Sequence, residues 1–257
     1  MRRGRLNVSG TFRAEALTAG AAPDDAAEYG RTAGILAGDL ALAAAIRAIA
    51  TCGAPPEVVN RLLDLVDSAL HVTSAGQLAD VRLSLGVETA SLAESLAMEE
   101  QKTSAYSFSL PLQAGAVLAG ADEKTVDRLE EAGRMLGIAF QLVDDLIGVF
   151  GNPTVTGKST TSDLRTRKQT PLLVHASSTP EWERIRSYVG RNLTDDELAE
   201  ARRLLTTSGS RRFVAELAES HLSTARAVLE DLGISTDLLA LVSTRAPALF
   251  DSSEVAA

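Results

Sequence analysis

The chain has 257 residues, a length that fits one large domain or two small ones. Its 25 Lys+Arg stand against 34 Asp+Glu, a net charge of -9, which argues against nucleic acid or an anionic membrane as the main partner, since both call for a net basic face. One cysteine, Cys52, and three scattered histidines, His71, His175 and His221, exclude an internal disulfide framework, point away from a zinc site and suit a reducing cytoplasm.

Hydrophobic residues make up 45% of the chain and aromatics only 4%, so the core is built mainly from Ala, Leu and Val. The opening Met1-Arg2-Arg3-Gly4-Arg5 has no apolar stretch behind it, so no signal peptide is read. No uninterrupted apolar run reaches the roughly 18 residues of a membrane span. The expectation is an acidic, cytoplasmic, globular protein.

The apolar period is helical nearly everywhere. From Asp24 to Ala50, Ala27, Ala33, Leu36, Leu40, Ala44 and Ala48 recur at steps of three and four, the spacing of one helix face. Asp24-Asp25 itself reads as part of a Pro/Ala-rich turn. Pro55-Pro56 breaks the pattern, and a second helix begins near Glu57 with Val58, Leu62, Leu65, Val66 and Ala69 on one face. A third segment, Ala90 to Ala119, contains Pro111, which kinks it or marks a boundary. Gly120-Ala121-Asp122 reads as a stop followed by an N-cap, opening a helix from Glu123 to Phe150.

Gly151 to Thr170 lacks apolar periodicity and reads as one long functional loop. Pro171–Ala176, a helix from Pro180 to Val189, another from Thr194 to Leu205, and two more from Arg211 to Leu232 and Thr236 to Leu249 complete the chain. No alternating strand pattern competes. The pattern predicts one all-α domain over residues 1–257.

The most informative stretch is Phe140-Gln141-Leu142-Val143-Asp144-Asp145. Asp144 and Asp145 follow Gln141 by three and four residues, so all three project from one side of a helix. Adjacent carboxylates inside an apolar helix cost stability unless a cation neutralises them. Mg²⁺, a hard cation that prefers oxygen ligands and accompanies phosphate-bearing substrates, is the natural partner. A helix end with exposed acids is the alternative, because Gly148 follows closely.

The next stretch favours the first reading. Gly157-Lys158-Ser159, Asp163-Leu164-Arg165 and Arg167-Lys168-Gln169-Thr170-Pro171 set cations on a Gly/Ser loop beside the acids, as a Mg²⁺–diphosphate requires. The alternative for this loop is a solvated basic turn. Gly157-Lys158-Ser159 is not a phosphate-binding P-loop, for it lacks the upstream glycine and follows a helix. Lys102-Thr103 lies deep in an apolar helix, where a lysine also snorkels for purely structural reasons. Gln77 and Asp80 share a helix face three residues apart.

Taken in order, Arg2-Arg3-Gly4, Gly38-Asp39, Gly76-Gln77-x-x-Asp80, Lys102-Thr103, Phe140-Gln141-x-x-Asp144-Asp145, Gly157-Lys158 and Lys168-x-Thr170-Pro171 resemble the trans-isoprenyl (polyprenyl) diphosphate synthases, and most of all the bacterial geranylgeranyl diphosphate synthases. The resemblance runs from the first residues to about Ala176.

It implies an isoprenoid-synthase-type helical bundle around an apolar pocket. There Mg²⁺ bridges Asp-rich motifs to an allylic diphosphate, and isopentenyl diphosphate attacks the allylic cation left by diphosphate departure. It implies Asp144 as a Mg²⁺ ligand with Asp145 in the same cluster. Arg2, Lys102, Lys158 and Lys168 would bind the allylic diphosphate, and Arg3 the isopentenyl diphosphate. Thr103 and Gln141 would set dipoles beside the cation, and Gln77 and Asp80 would stand behind them. A C20 product, and a homodimer or a heterodimer with a complete synthase, follow from the same resemblance.

The family's first Asp-rich motif lies just upstream of the Arg-Arg-Gly element, which here directly follows Met1, so the helices carrying that motif are expected to be absent. Gly148 stands where many members carry a third aspartate. Two other functions fit the same residues: a non-catalytic subunit that modulates a complete synthase, and a class I terpene cyclase. The ten aromatics and the lack of a late Asn/Ser/Glu metal triad place the cyclase last.

Overall fold

The computed structural model describes residues 5–86, 89–151 and 162–243. They are helical almost throughout, with no β-strand among them, as the apolar period predicts. The chain groups into two compact units, Met1–Leu63 and Asp64–Ala257.

The first unit opens with α1 (Val8–Thr18), a helix the sequence reading did not place. Its signal is short-range: the Asn7 side chain accepts from the Gly10 N–H at 2.9 Å, an N-cap that lets eleven residues form a helix. α2 (Pro23–Ala50) starts on a proline at its first position. Asp24 and Asp25 therefore sit in the first turn of a helix rather than in a loop, where their charge complements the helix dipole. The two helices pack together through fully buried Ala26 and the edge-on rings of Phe12 and Tyr29, 5.7 Å apart.

Along α2, Ile35, Leu36 and Leu40 are 65%, 56% and 73% exposed. By length and composition α2 is also apolar enough to cross a membrane, with a mean hydropathy of 1.7 over 18 residues. No uninterrupted apolar run underlies this average, because the scattered charges Arg31, Asp39 and Arg47 break a run without much lowering a mean.

α3 (Pro56–Ser84) carries the chain into the second unit. The predicted Ala90–Ala119 segment resolves into three parts: α4 (Leu92–Glu99), a ten-residue π-helical segment (Glu100–Ser109) and α5 (Leu110–Leu118). A capping box starts α4, Glu94 N–H to Ser91 Oγ at 3.2 Å and Ser91 N–H to Glu94 Oε2 at 2.9 Å. Pro111 marks a boundary. It falls in the first turn of α5, where a missing N–H costs least.

α6 (Glu123–Phe150) matches its predicted bounds, with Asp122 accepting from the Thr125 N–H at 2.8 Å. It is the core helix of the unit: Leu136, Ala139, Leu142, Val143 and Leu146 are at most 1% exposed. It crosses the π-helical segment closely at Gly137, where a Cβ would stand 2.6 Å from Ser104 Cα.

Of the predicted loop Gly151–Thr170, residues 152–161 lie outside the described residues, and α7 (Ser162–Arg165) supplies one helical turn within it. α8 (Pro171–Ala176) follows. Where one helix was expected from Pro180 to Val189, α9 (Trp182–Ile185) gives way to a 3₁₀ turn over Arg186–Tyr188. α10 (Asp195–Thr207) has its own capping box, Thr194 with Glu197, and α11 (Ser210–Asp231) packs along α6. A 3₁₀ turn (Asp237–Leu239) and α12 (Ala240–Ser243) end the described chain, and the remainder of the helix predicted to Leu249 lies beyond it.

The Gly137 crossing is testable. Gly137→Val drives two methyl groups into the backbone of Ser104, and overpacking of this kind costs about 1–3 kcal/mol. A thermal melt is expected to show a fall of roughly 2–4 °C per kcal/mol for a chain of this size.

Candidate active site

Three helices of the second unit meet at the predicted residues. On α3, Gly76 permits the approach: a Cβ there would be 2.7 Å from the backbone carbonyl carbon of Gln101, one residue before Lys102. One turn on, Asp80 Oδ2 receives Lys102 Nζ at 2.5 Å, a pair only 20% and 32% exposed. Lys102 is therefore held by a carboxylate and does not merely snorkel to solvent. Gln77 lines an open groove of about 650 Å³ with Thr73, Leu78, Lys102, Thr103 and Tyr106. Its walls are mostly apolar, with the lysine at one edge.

From the π-helical segment, Thr103 Oγ1 donates to Gln141 Oε1 at 3.3 Å. Gln141 Nε2 in turn donates to Asp145 Oδ1 at 3.0 Å, the contact that residues four apart on one helix face are placed to make. This relay fixes which way the amide points. Asp145 is 2% exposed while Asp144, its neighbour, is half-buried. The two acids thus share one side of α6 but not one environment.

Burial pushes the Asp145 carboxyl up to about 6. Its partner in this is Glu99, the last residue of α4, which the sequence reading missed. Glu99 is 3% exposed, and burial, with the Asp145 charge beside it, raises its carboxyl well above the ordinary range. Glu99 Oε2 and Asp145 Oδ2 find no donor when both groups are ionised. A proton carried by Glu99 and offered to Asp145 satisfies the pair, as two carboxyls in contact require.

Lys168 closes the site. Its ammonium meets Asp163 Oδ1 at 2.8 Å, with Asp163 itself 6% exposed. Burial works to lower the lysine's pKa, but Asp163, Asp145 and Asp80 outweigh it and the net shift is upward, so Lys168 stays charged. Ser95 Oγ donates to the Gln169 carbonyl at 2.6 Å, and Thr170 caps α8, which ties the stretch after Lys168 to the helices around it. Gly148, one turn beyond Asp144, faces the Asp163 carboxylate, which fills the space a side chain at 148 would take.

Lys102, Thr103, Gln141, Asp145, Asp80 and Lys168 are therefore brought together, and they line one small cavity with Met98, Glu99, Gln169 and Thr170. Gln77 stands at the adjoining groove. Arg2, Arg3 and Lys158 lie outside the described residues. Among the described residues, no group of three or more His, Cys, Asp or Glu side chains is arranged to hold a metal by itself. The donor set nevertheless suits Mg²⁺, which needs only one or two carboxylates when phosphate oxygens and water complete its shell. Asp144, half-buried at the edge of α6, is the carboxylate placed for that role, with Asp145 behind it.

Ammonium groups, paired acids and an apolar groove thus lie together in one all-helical unit. The polyprenyl synthetase family profile matches residues 1–205. The chain belongs to that family. It is 34% identical over 215 residues to a (2E,6E)-farnesyl diphosphate synthase of Mycobacterium tuberculosis, covering 80% of this chain and 58% of the relative. It is also 33% identical over 217 residues to a geranylgeranyl diphosphate synthase of the same organism, covering 83% and 61%. The crystal structure of Corynebacterium glutamicum geranylgeranyl pyrophosphate synthase, complexed with isoprenyl diphosphate and magnesium, superposes with a TM-score of 0.83 at 29% identity, over 97% of this chain and 71% of that one. The chain spans less than two thirds of the length of these two curated relatives.

The raised carboxyls predict a pH signature. In the unfolded chain Glu99 and Asp145 ionise near pH 4, whereas in the folded protein burial pushes Asp145 up to about 6 and Glu99 well above its ordinary value. Their contribution to stability is present below pH 4 and lost as pH climbs through 6. His175, whose pKa burial lowers, works in the opposite direction over the same interval. Glu99→Gln supplies a permanent N–H to Asp145 and leaves His175 alone. In metal-free buffer its melting temperature is expected to fall less between pH 5 and 8 than that of the parent protein, and a parallel pair of curves would refute the shared proton.

Proposed function

We propose that the chain is a trans-prenyltransferase that joins isopentenyl diphosphate to an allylic diphosphate, with residues 1–257 acting as one synthase domain. The observation that supports this best is the junction of Lys102, Thr103, Gln141, Asp145 and Lys168 at the edge of an apolar groove. Charged groups gather at one end, and an isoprenoid chain has a mostly apolar wall to meet at the other. Lys102 and Lys168 bind the allylic diphosphate as fixed ammonium groups, each steadied by its own carboxylate, Asp80 or Asp163. Thr103 and Gln141 orient their oxygens beside the carbon that becomes electron-poor as diphosphate leaves. Asp144, with Asp145 behind it, holds Mg²⁺, which when bound neutralises diphosphate charge and eases its departure. Arg2, Arg3 and Lys158 complete the diphosphate contacts in this reading.

The product is proposed to be C20, on the resemblance to geranylgeranyl diphosphate synthases, although relatives that make farnesyl diphosphate match equally well. The exposed leucines and isoleucine of α2 support a homodimer, or a pair with a complete synthase, because a run of apolar side chains this exposed favours burial against another surface. A cytoplasmic setting accords with the single exposed thiol of Cys52.

The test is direct. The chain is incubated with Mg²⁺, isopentenyl diphosphate and dimethylallyl, geranyl or farnesyl diphosphate, and products are identified by mass. A C20 diphosphate is expected, with turnover falling on the order of 100-fold in Asp144→Ala, the scale of losing one electrostatic contact to the reacting group. Metal chelation is expected to abolish turnover. Unchanged turnover in Asp144→Ala would refute the assignment of that residue.

A further inference from the structure

The turn that delivers Lys168 holds a non-glycine residue in the left-handed region. α7 closes in a Schellman motif: the Lys168 N–H donates to the Asp163 carbonyl at 3.2 Å and the Arg167 N–H to the Leu164 carbonyl at 3.4 Å. Such a motif sets one residue in the left-handed region, the place glycine normally takes. Here that residue is Arg167, with φ 55°, the one non-glycine residue of positive φ among the described residues. A side chain held there is strained, and it stays only where its surroundings fix it.

Those surroundings are identifiable. The Leu164 carbonyl also accepts from the Gly190 N–H at 2.8 Å, which joins the turn to the strip after α9. Gly190 is itself left-handed, with φ 88°, and a Cβ on it would lie 2.9 Å from Arg167 Cζ. The guanidinium thus rests on the bare face of the glycine. Inside the turn, Lys168 is bound at both ends to one residue, its N–H to the Asp163 carbonyl and its ammonium to the Asp163 carboxylate. Any rotation at Arg167 swings that whole assembly.

We infer that Arg167 is a positioning residue for Lys168: its left-handed backbone and its seat on Gly190 hold the 163–168 turn in the geometry that presents the lysine ammonium to a diphosphate. This inference rests on the diphosphate-binding reading above. It has a signature that a merely structural role lacks. Glycine at 167 relieves the strain and loosens the turn, so stability and affinity move in opposite directions.

The experiment titrates inorganic pyrophosphate with Mg²⁺ into the full chain by calorimetry, beside thermal melts of the same samples. Arg167→Gly is expected to melt no lower than the parent protein yet bind pyrophosphate roughly threefold to tenfold more weakly, the scale of immobilising one long side chain on binding. Arg167→Ala, which keeps the strain and loses the seat, is expected to lose both stability and affinity. Arg165→Ala, which removes the same charge from the same turn, is expected to bind within about twofold of the parent, because an exposed charge outside the contact is screened.

Wild-type affinity in Arg167→Gly overturns the inference, as does an equal loss in Arg165→Ala, which would assign the effect to charge. A parent protein that does not bind pyrophosphate at all overturns the diphosphate reading and the inference with it.

Discussion

Asp145 sits 2% exposed in the helix that forms the core of the second unit, and an unpaired carboxylate in such a place costs several kcal/mol. The groups around it answer that cost in different ways. Gln141 donates an N–H from one turn earlier, Glu99 faces it with a second buried carboxyl, and Lys168 brings a positive charge near. Each of these is then constrained in turn: Gln141 by Thr103, Lys168 by Asp163. The rigidity of the site follows from the need to satisfy one buried acid.

The adjacent acids divide the work because of helix geometry. Neighbouring residues on an α-helix point about 100° apart, so Asp145 turns toward the interior while Asp144 remains half-buried at the edge. An aspartate anchored inside fixes the rotation of the helix, and that rotation sets the aim of the outer one. In the proposed enzyme, the outer acid meets the metal and the inner one keeps its helix from turning.

Much of this was legible in the sequence, and the misses have physical causes. α6 is legible because Asp122 caps it and its apolar period is long. The meeting of Lys102, Gln141 and Asp145 followed from the order of motifs, not from spacing, for no local rule brings α3, the π-helical segment and α6 to one point. Glu99 went unseen because it looks like one more acid in Met98-Glu99-Glu100 and its burial is decided by helices distant in sequence. Its one signal is position, a carboxylate three residues before Lys102. The π-helical segment left no trace in composition. The left-handed Arg167 could not be read because the residue at that place is not glycine.

The C-terminal third carries no motif, yet it holds the end of the site helix. The last carbonyls of α6 have no partner within the helix and form the negative end of its dipole. Arg202, from α10, donates Nε to the Val149 carbonyl at 2.7 Å and Nη2 to the Gly151 carbonyl at 3.3 Å. Arg211, from α11, lays its guanidinium over the Phe150 ring at 5.0 Å. Two cations thus meet the C-terminus of the helix just past the acids, where a helix end left to water would fray. Since α11 also packs along the buried face of α6, the part of the chain with the least legible sequence clamps Asp144 and Asp145 from behind. A motif search reads the groups that touch a substrate, whereas the groups that keep them still are dispersed arginines and leucines whose role exists only in the folded chain.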